Sequence, residues 1–262
     1  MNISFKSFDI SKLALACLLS GVAFQSPVWA DSSKVTAMRK NFETTPNYAA
    51  FIHDGMQKPD EGGRFYALIA FNRCTELNTL NLKAPAKADT NAEKRDQSFK
   101  VLSALKMRCA GVSAQFPDES TFRNSLKQSN ARGAPDILLG EPGALAPRKN
   151  GSARAEVQRA KGTGDPYLLA ATIETYVEEL APKLDPEYAK GGDRVALYTA
   201  SKAATCEIVG DCVGNLRLSS VCAAGGSCEF NDYRDFLRAE LMPSIRPLYD
   251  RTRLAIVKMA KQ

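Results

Sequence analysis

Apolar residues recur along this chain at helical spacing, and no stretch alternates as a half-buried strand would. In GDPYLLAATIETYVEELAPKL, Leu169, Ile173, Tyr176 or Val177, and Leu180 fall on one stripe. Asp165 stands at the N-cap position and Pro166 at the first helical position, and Pro182 is expected to lie just beyond the helix end. Ala67, Ala70, Phe71 and Cys74 share a face in a helix expected over 62–77. Leu102, Leu105, Cys109 and Val112 do the same in one running from about Glu93 to Ala110. Similar signals predict a first helix over PNYAAFIHDGM after a short segment, and a short one from Asp118 through Lys127. Another is expected over 192–205, capped by Asp193. Asp232 opens YRDFLRAEL, in which Tyr233, Phe236, Leu237 and Leu241 align, and Pro243 interrupts before the last helix. That helix is striped by Ile245, Leu248, Tyr249, Ile256 and Met259. The fold class expected is all-α: helical hairpins packed as an irregular superhelix or bundle.

The exceptions to this pattern lie at the N-terminus and in the middle. Lys6 and Lys12 precede and border an apolar run from Leu13 to Phe24, and Val28-Trp29-Ala30 ends in a small-x-small cleavage pattern. This is the layout of an export signal over residues 1–30, too short to span a bilayer. Cleavage after Ala30 leaves a mature domain over 31–262 of 232 residues with net charge +5, and a periplasmic or secreted location is expected. From 129 to 162 glycine and proline recur without a sustained period, which predicts a flexible loop, basic through Arg132, Arg148, Lys149, Arg154, Arg159 and Lys161.

Cleavage also removes Cys17, so seven cysteines become six: Cys74, Cys109, Cys206, Cys212, Cys222 and Cys228. An even count in an oxidising compartment predicts disulfides. Cys74 and Cys109 face inward on successive helices and would meet if those helices pack, which favours Cys74–Cys109. The other four form two C-x5-C units, CEIVGDC and CAAGGSC, each with glycine between its cysteines. Local pairing, Cys206–Cys212 and Cys222–Cys228, is the first expectation, and crossed pairing is the alternative. A four-cysteine zinc site would want gaps of two to four residues. No C-x-x-C redox motif is present.

Little else in the chain carries chemistry. The single histidine, His53, adjoins Asp54 near the end of the first expected helix, and a site built on several histidines is excluded. G-x-S-x-G, P-loop and H-E-x-x-H motifs are absent, and neither GGR nor KGTGDP follows a strand. No catalytic, metal or cofactor-binding residue is therefore assigned. Glu174, Glu178 and Glu179 cluster on one helix, Glu174 and Glu178 one turn apart, and paired carboxylates could serve a small cell-envelope hydrolase. The net charge of +6, from 35 Lys+Arg against 29 Asp+Glu, is modest, and RKNGSARAEVQRAK lacks the stacking aromatics of nucleic-acid binders.

Three glycine-led helix starts align, GRFYALIA from Gly63, GDPYLLAA from Gly164 and GDRVALYT from Gly192, though at irregular separations. Together with CEIVGDC and CAAGGSC they resemble uncharacterised secreted proteobacterial proteins with Sel-type, tetratricopeptide-like hairpins and a C-terminal Cys–Gly-Asp-Cys turn. The resemblance implies stacked helical hairpins and a binding role, with no catalytic residue to carry over. The function expected is a non-enzymatic protein-interaction scaffold of the bacterial cell envelope. Its partner would be an envelope protein or peptide, without nucleic acid, transmembrane segment or cofactor, and sequence sets no oligomeric state.

Overall fold

The computed structural model describes residues 32–78, 80, 91–130, 135–139 and 151–262. The expected export signal, residues 131–134 and residues 140–150 of the expected loop fall outside the described residues. Twelve α-helices are present among the described residues. They are α1 Ser32–Thr44, α2 Tyr48–Met56, α3 Gly63–Asn78, α4 Ala92–Arg108, α5 Val112–Gln115 and α6 Glu119–Asn130. The second half supplies α7 Ala153–Gly162, α8 Pro166–Leu184, α9 Arg194–Val209, α10 Leu216–Ala223, α11 Tyr233–Ala239 and α12 Arg246–Lys261. The described residues hold no strand; an isolated antiparallel bridge joins Val213 and Asp232. The chain is all-α and carries three disulfides.

Local chemistry starts these helices where the sequence indicates. Asp165 accepts from the Leu168 N–H at 2.8 Å, Asp193 from Val195 and Ala196, and Asp232 from Arg234. Asp118 likewise accepts from Thr121 ahead of α6. Four differences from the sequence expectation have physical causes. Ser32–Thr44 is a helix rather than a short segment, because Val35, Met38 and Phe42 form a buried stripe. The last ten residues of the expected basic loop form α7, whose buried face of Ala153, Val157 and Ala160 is small rather than strongly apolar. Helix α8 runs through Pro182 to Leu184, since a proline in the last turn forgoes a single backbone bond. Helix α10 arises from Leu218, Cys222 and Ala223 packing inward and the Asn215 cap.

Two apolar clusters hold the helices together. The larger one joins α1–α8 and takes in Ala204, Ala223, Ile256 and Val257 of α9, α10 and α12, with an aromatic group in which Phe71 stacks on Phe122 at 4.2 Å and meets Phe116 edge-on. The second gathers Ala196, Ala200 and Ala203 of α9 with Cys206–Cys212, Tyr233, Leu237, Leu248 and Tyr249. Those alanines are fully buried, and their small size lets α12 approach α9 closely, while α8 packs against α9 through Val177, Ala181 and Leu197.

Buried polar groups fix the arrangement further. The Tyr66 hydroxyl donates to Asp165, so the residue that caps α8 also ties it to α3. Asp136 is buried and accepts from the backbone N–H groups of Arg64, Leu138 and Leu139, pinning residues 135–139 onto the α2–α3 turn. Burial pushes the Asp136 carboxyl up from its usual range, against the pull of those donors.

Arg108, at the end of α4, donates to the carbonyls of Phe42, Glu43 and Thr45 at 2.8–3.1 Å. Its guanidinium also lies 4.4 Å over the Tyr48 ring. It thereby satisfies carbonyls left open at the end of α1. Arg108→Ala is expected to destabilise the oxidised protein by about 2 kcal/mol, read as a lower urea midpoint. An unchanged midpoint would mean that water replaces the guanidinium without loss.

Candidate binding groove

The cysteines pair as Cys74–Cys109, Cys206–Cys212 and Cys222–Cys228, with Cα separations of 5.4, 4.9 and 4.7 Å. All six thiols are thus consumed in structural bridges, the local pairing holds, and no crossed pair forms. Among the described residues no group of three or more His, Cys, Asp or Glu side chains is arranged to hold a metal ion. No described helix is long and apolar enough to cross a membrane.

His53 is exposed in the last turn of α2, while its neighbour Asp54 pairs with Lys58 at 2.7 Å. The three carboxylates of α8 diverge. Glu174 accepts from the Thr205 hydroxyl at 2.8 Å. Glu178 accepts from Tyr198 and pairs with Arg194 at 2.9 Å. Glu179 accepts from the Ala153 N–H at 2.8 Å, at the first residue of α7. All three are solvent-exposed, and each is joined to a neighbouring element.

The basic segment acquires a definite role through α7. Ser152 caps this helix and Glu179 holds its first N–H group, so Ala153, Val157 and Ala160 lie down on α8. Lys161, at its other end, donates to the Met259 carbonyl at 3.4 Å and ties α7 to α12. Arg159 pairs with the buried Glu156 at 2.9 Å, neutralising it. Arg154 and Gln158 are left exposed on the outer side of α7.

These contacts leave a groove of about 390 Å³ between α7, α8 and α12. Val157, Leu180, Leu184, Ala255 and Met259 provide apolar surface, and Arg154, Lys183 and Lys258 stand around it. No carboxylate side chain lines the groove, and none of the three cations makes an ion pair among the described residues. Of the basic residues singled out by sequence that lie among the described residues, Arg154 alone lines this groove. Lys183 and Lys258 come from distant segments, and only packing makes them its neighbours.

The chain matches no family model, no curated protein and no solved structure. Its functional reading therefore rests on its own residues.

Proposed function

We propose that this chain is an exported, disulfide-braced helical binding protein of a bacterial cell envelope, periplasmic or secreted, without catalytic activity of its own. Its groove between α7, α8 and α12 docks an acidic peptide segment of a partner protein that carries an apolar side chain. The observation that carries this reading is an apolar floor ringed by three cations that are unpaired among the described residues, with no acidic side chain among them. Apolar surface supplies affinity, and like charges left without counter-ions select an acidic partner. A flat lipid surface would not reach a floor recessed between helices. Three cations on separate helices also outnumber the single charge of a fatty acid. Three disulfides fit an oxidising compartment, and the leader-like residues 1–30 point the same way.

The test is fluorescence anisotropy with a short labelled peptide in which Asp and Glu flank one leucine. Controls are the same peptide with Lys replacing the acids, anionic phosphatidylglycerol vesicles, and laurate. The acidic peptide is expected to bind, more weakly as salt rises. The triple change Arg154→Glu, Lys183→Glu, Lys258→Glu is expected to weaken binding by roughly 100-fold, at about 1 kcal/mol per contact. Equal binding of the Lys peptide, or no loss in the triple variant, would overturn the reading. Preference for vesicles or laurate would make the groove a lipid site instead.

A further inference from the structure

A second cleft, of about 290 Å³, opens where α3, α8 and α9 meet the Cys206–Cys212 loop and the start of α10. Three cations and three carboxylates line it, so unlike the groove it is balanced in charge. Three of these six charges already have partners. Arg217 pairs with Glu76 at 3.2 Å, and Glu174 accepts from Thr205. Lys202 is exposed at the mouth.

Arg73 and Asp211 remain. Arg73 projects from α3, and its guanidinium lies 4.7 Å from the Phe42 ring centre and 5.8 Å from that of Tyr167. The two rings and the neighbouring Tyr48 and Tyr167 hydroxyl groups fix its position, while no carboxylate pairs with it among the described residues. Asp211 stands in the loop closed by Cys206–Cys212, where its backbone N–H donates to the Cys206 carbonyl at 3.0 Å. Its carboxylate has no ion pair or hydrogen bond from another described residue. The Arg73 charge bears on the Asp211 carboxyl, yet no ion pair or hydrogen bond joins the two. Burial pushes the Asp211 carboxyl up from its usual range, and Arg73 only partly opposes this.

Opposite charges drawn partly out of water and held apart are costly to leave unsatisfied. A ligand carrying both complementary charges would satisfy both at once, and a neutral total matches the balanced lining. We infer that this cleft binds a compact zwitterion, a free α-amino acid, with its carboxylate on the Arg73 guanidinium and its ammonium on the Asp211 carboxylate. Arg73 supplies the planar fork that suits a carboxylate, and the Tyr167 and Tyr233 side chains border the space left for the ligand's own side chain. The cleft lies at the lower end of ligand-pocket sizes, which limits the occupant to a single amino acid rather than a peptide. This inference is independent of the acidic-peptide groove, which shares no lining residue with the cleft.

Isothermal titration of the oxidised, leader-free protein with each common amino acid tests it. At least one is expected to bind at one per chain. Its N-acetyl and methyl-ester forms, each lacking one charge, are expected to bind about tenfold or more weakly. Asp211→Asn should lose affinity for the amino acid to a similar degree while the far-ultraviolet circular dichroism and the count of alkylatable thiols stay unchanged. Arg73→Lys keeps the charge but not the fork, and should weaken the carboxylate end specifically. Its N-acetyl derivative, which relies on that end alone, should lose the most. The groove triple variant should bind the amino acid as the parent does. Absence of heat with every amino acid, equal binding of the blocked forms, or full affinity in Asp211→Asn would each overturn the inference.

Discussion

Removing the Cys74–Cys109 bridge by Cys74→Ala with Cys109→Ala is expected to lower the unfolding free energy by about 4 kcal/mol. The two residues are 35 apart, and both are buried between α3 and α4. Without the bridge, the unfolded chain regains the freedom of a long loop. The native packing of α3 and α4 then has to bring the same residues together unaided. Removal of Cys206–Cys212 or Cys222–Cys228, each only 6 residues apart, should cost less, about 2 kcal/mol, because a short loop has little freedom to lose. Urea denaturation of the three double variants measures the order. Equal losses would mean that native contacts around each bridge, rather than loop length, set its contribution.

Gly63→Ala is the second large effect expected. Helices α2 and α3 approach so closely that a Cβ at Gly63 would lie 2.3 Å from the Gly55 carbonyl oxygen and 2.9 Å from that of Lys58. A Cβ at Gly55 would in turn lie 2.7 Å from the Gly63 carbonyl oxygen. These neighbours are backbone atoms, which cannot swing aside as the end of a side chain can. Relief requires the two helices to separate and disturb Phe51, Ile52, Phe65 and Tyr66. A loss of about 3 kcal/mol or more is expected, at the upper end for overpacking. Gly164→Ala is the comparison. Nothing lies within 4 Å of that site, but its φ of +67° leaves about 1 kcal/mol of backbone cost. If both variants unfold at the same urea midpoint, the α2–α3 contact is able to relax.

The same pair shows how far helix-start motifs can be read. Gly63, Gly164 and Gly192 occupy matching positions in three aligned segments. In the fold, Gly63 is a helix-contact residue, Gly164 a left-handed residue ahead of the Asp165 cap, and Gly192 a residue packed against the Glu187 backbone. Similar strings of residues thus serve three unrelated packing tasks. The α8 carboxylates behave likewise. Sequence places Glu174 and Glu178 one turn apart, but their partners, Thr205 on one side and Tyr198 with Arg194 on the other, are found on α9.

Sequence by itself determined the helical class and several helix caps, and it favoured the three cysteine pairs that the structure then selected over crossed pairing. Each depends on interactions within a few residues or on a side-chain stripe repeated at 3.6-residue spacing. Asp165, Asp193 and Asp232 cap the helices they immediately precede, and cysteines six apart across glycine are confined to the same neighbourhood. Helix α7 escaped that reading because its buried stripe is mostly alanine, which local hydropathy hardly distinguishes from a polar loop. Tertiary structure alone decided which charges are satisfied. Arg159 and Lys161 are taken up by Glu156 and the Met259 carbonyl, whereas Arg154 converges with Lys183 and Lys258 around an apolar floor. Arg73 and Asp211, far apart in sequence, come to share a cleft without pairing. Charge pairing depends on distances between side chains from separate elements, and those distances are fixed only when the helices pack.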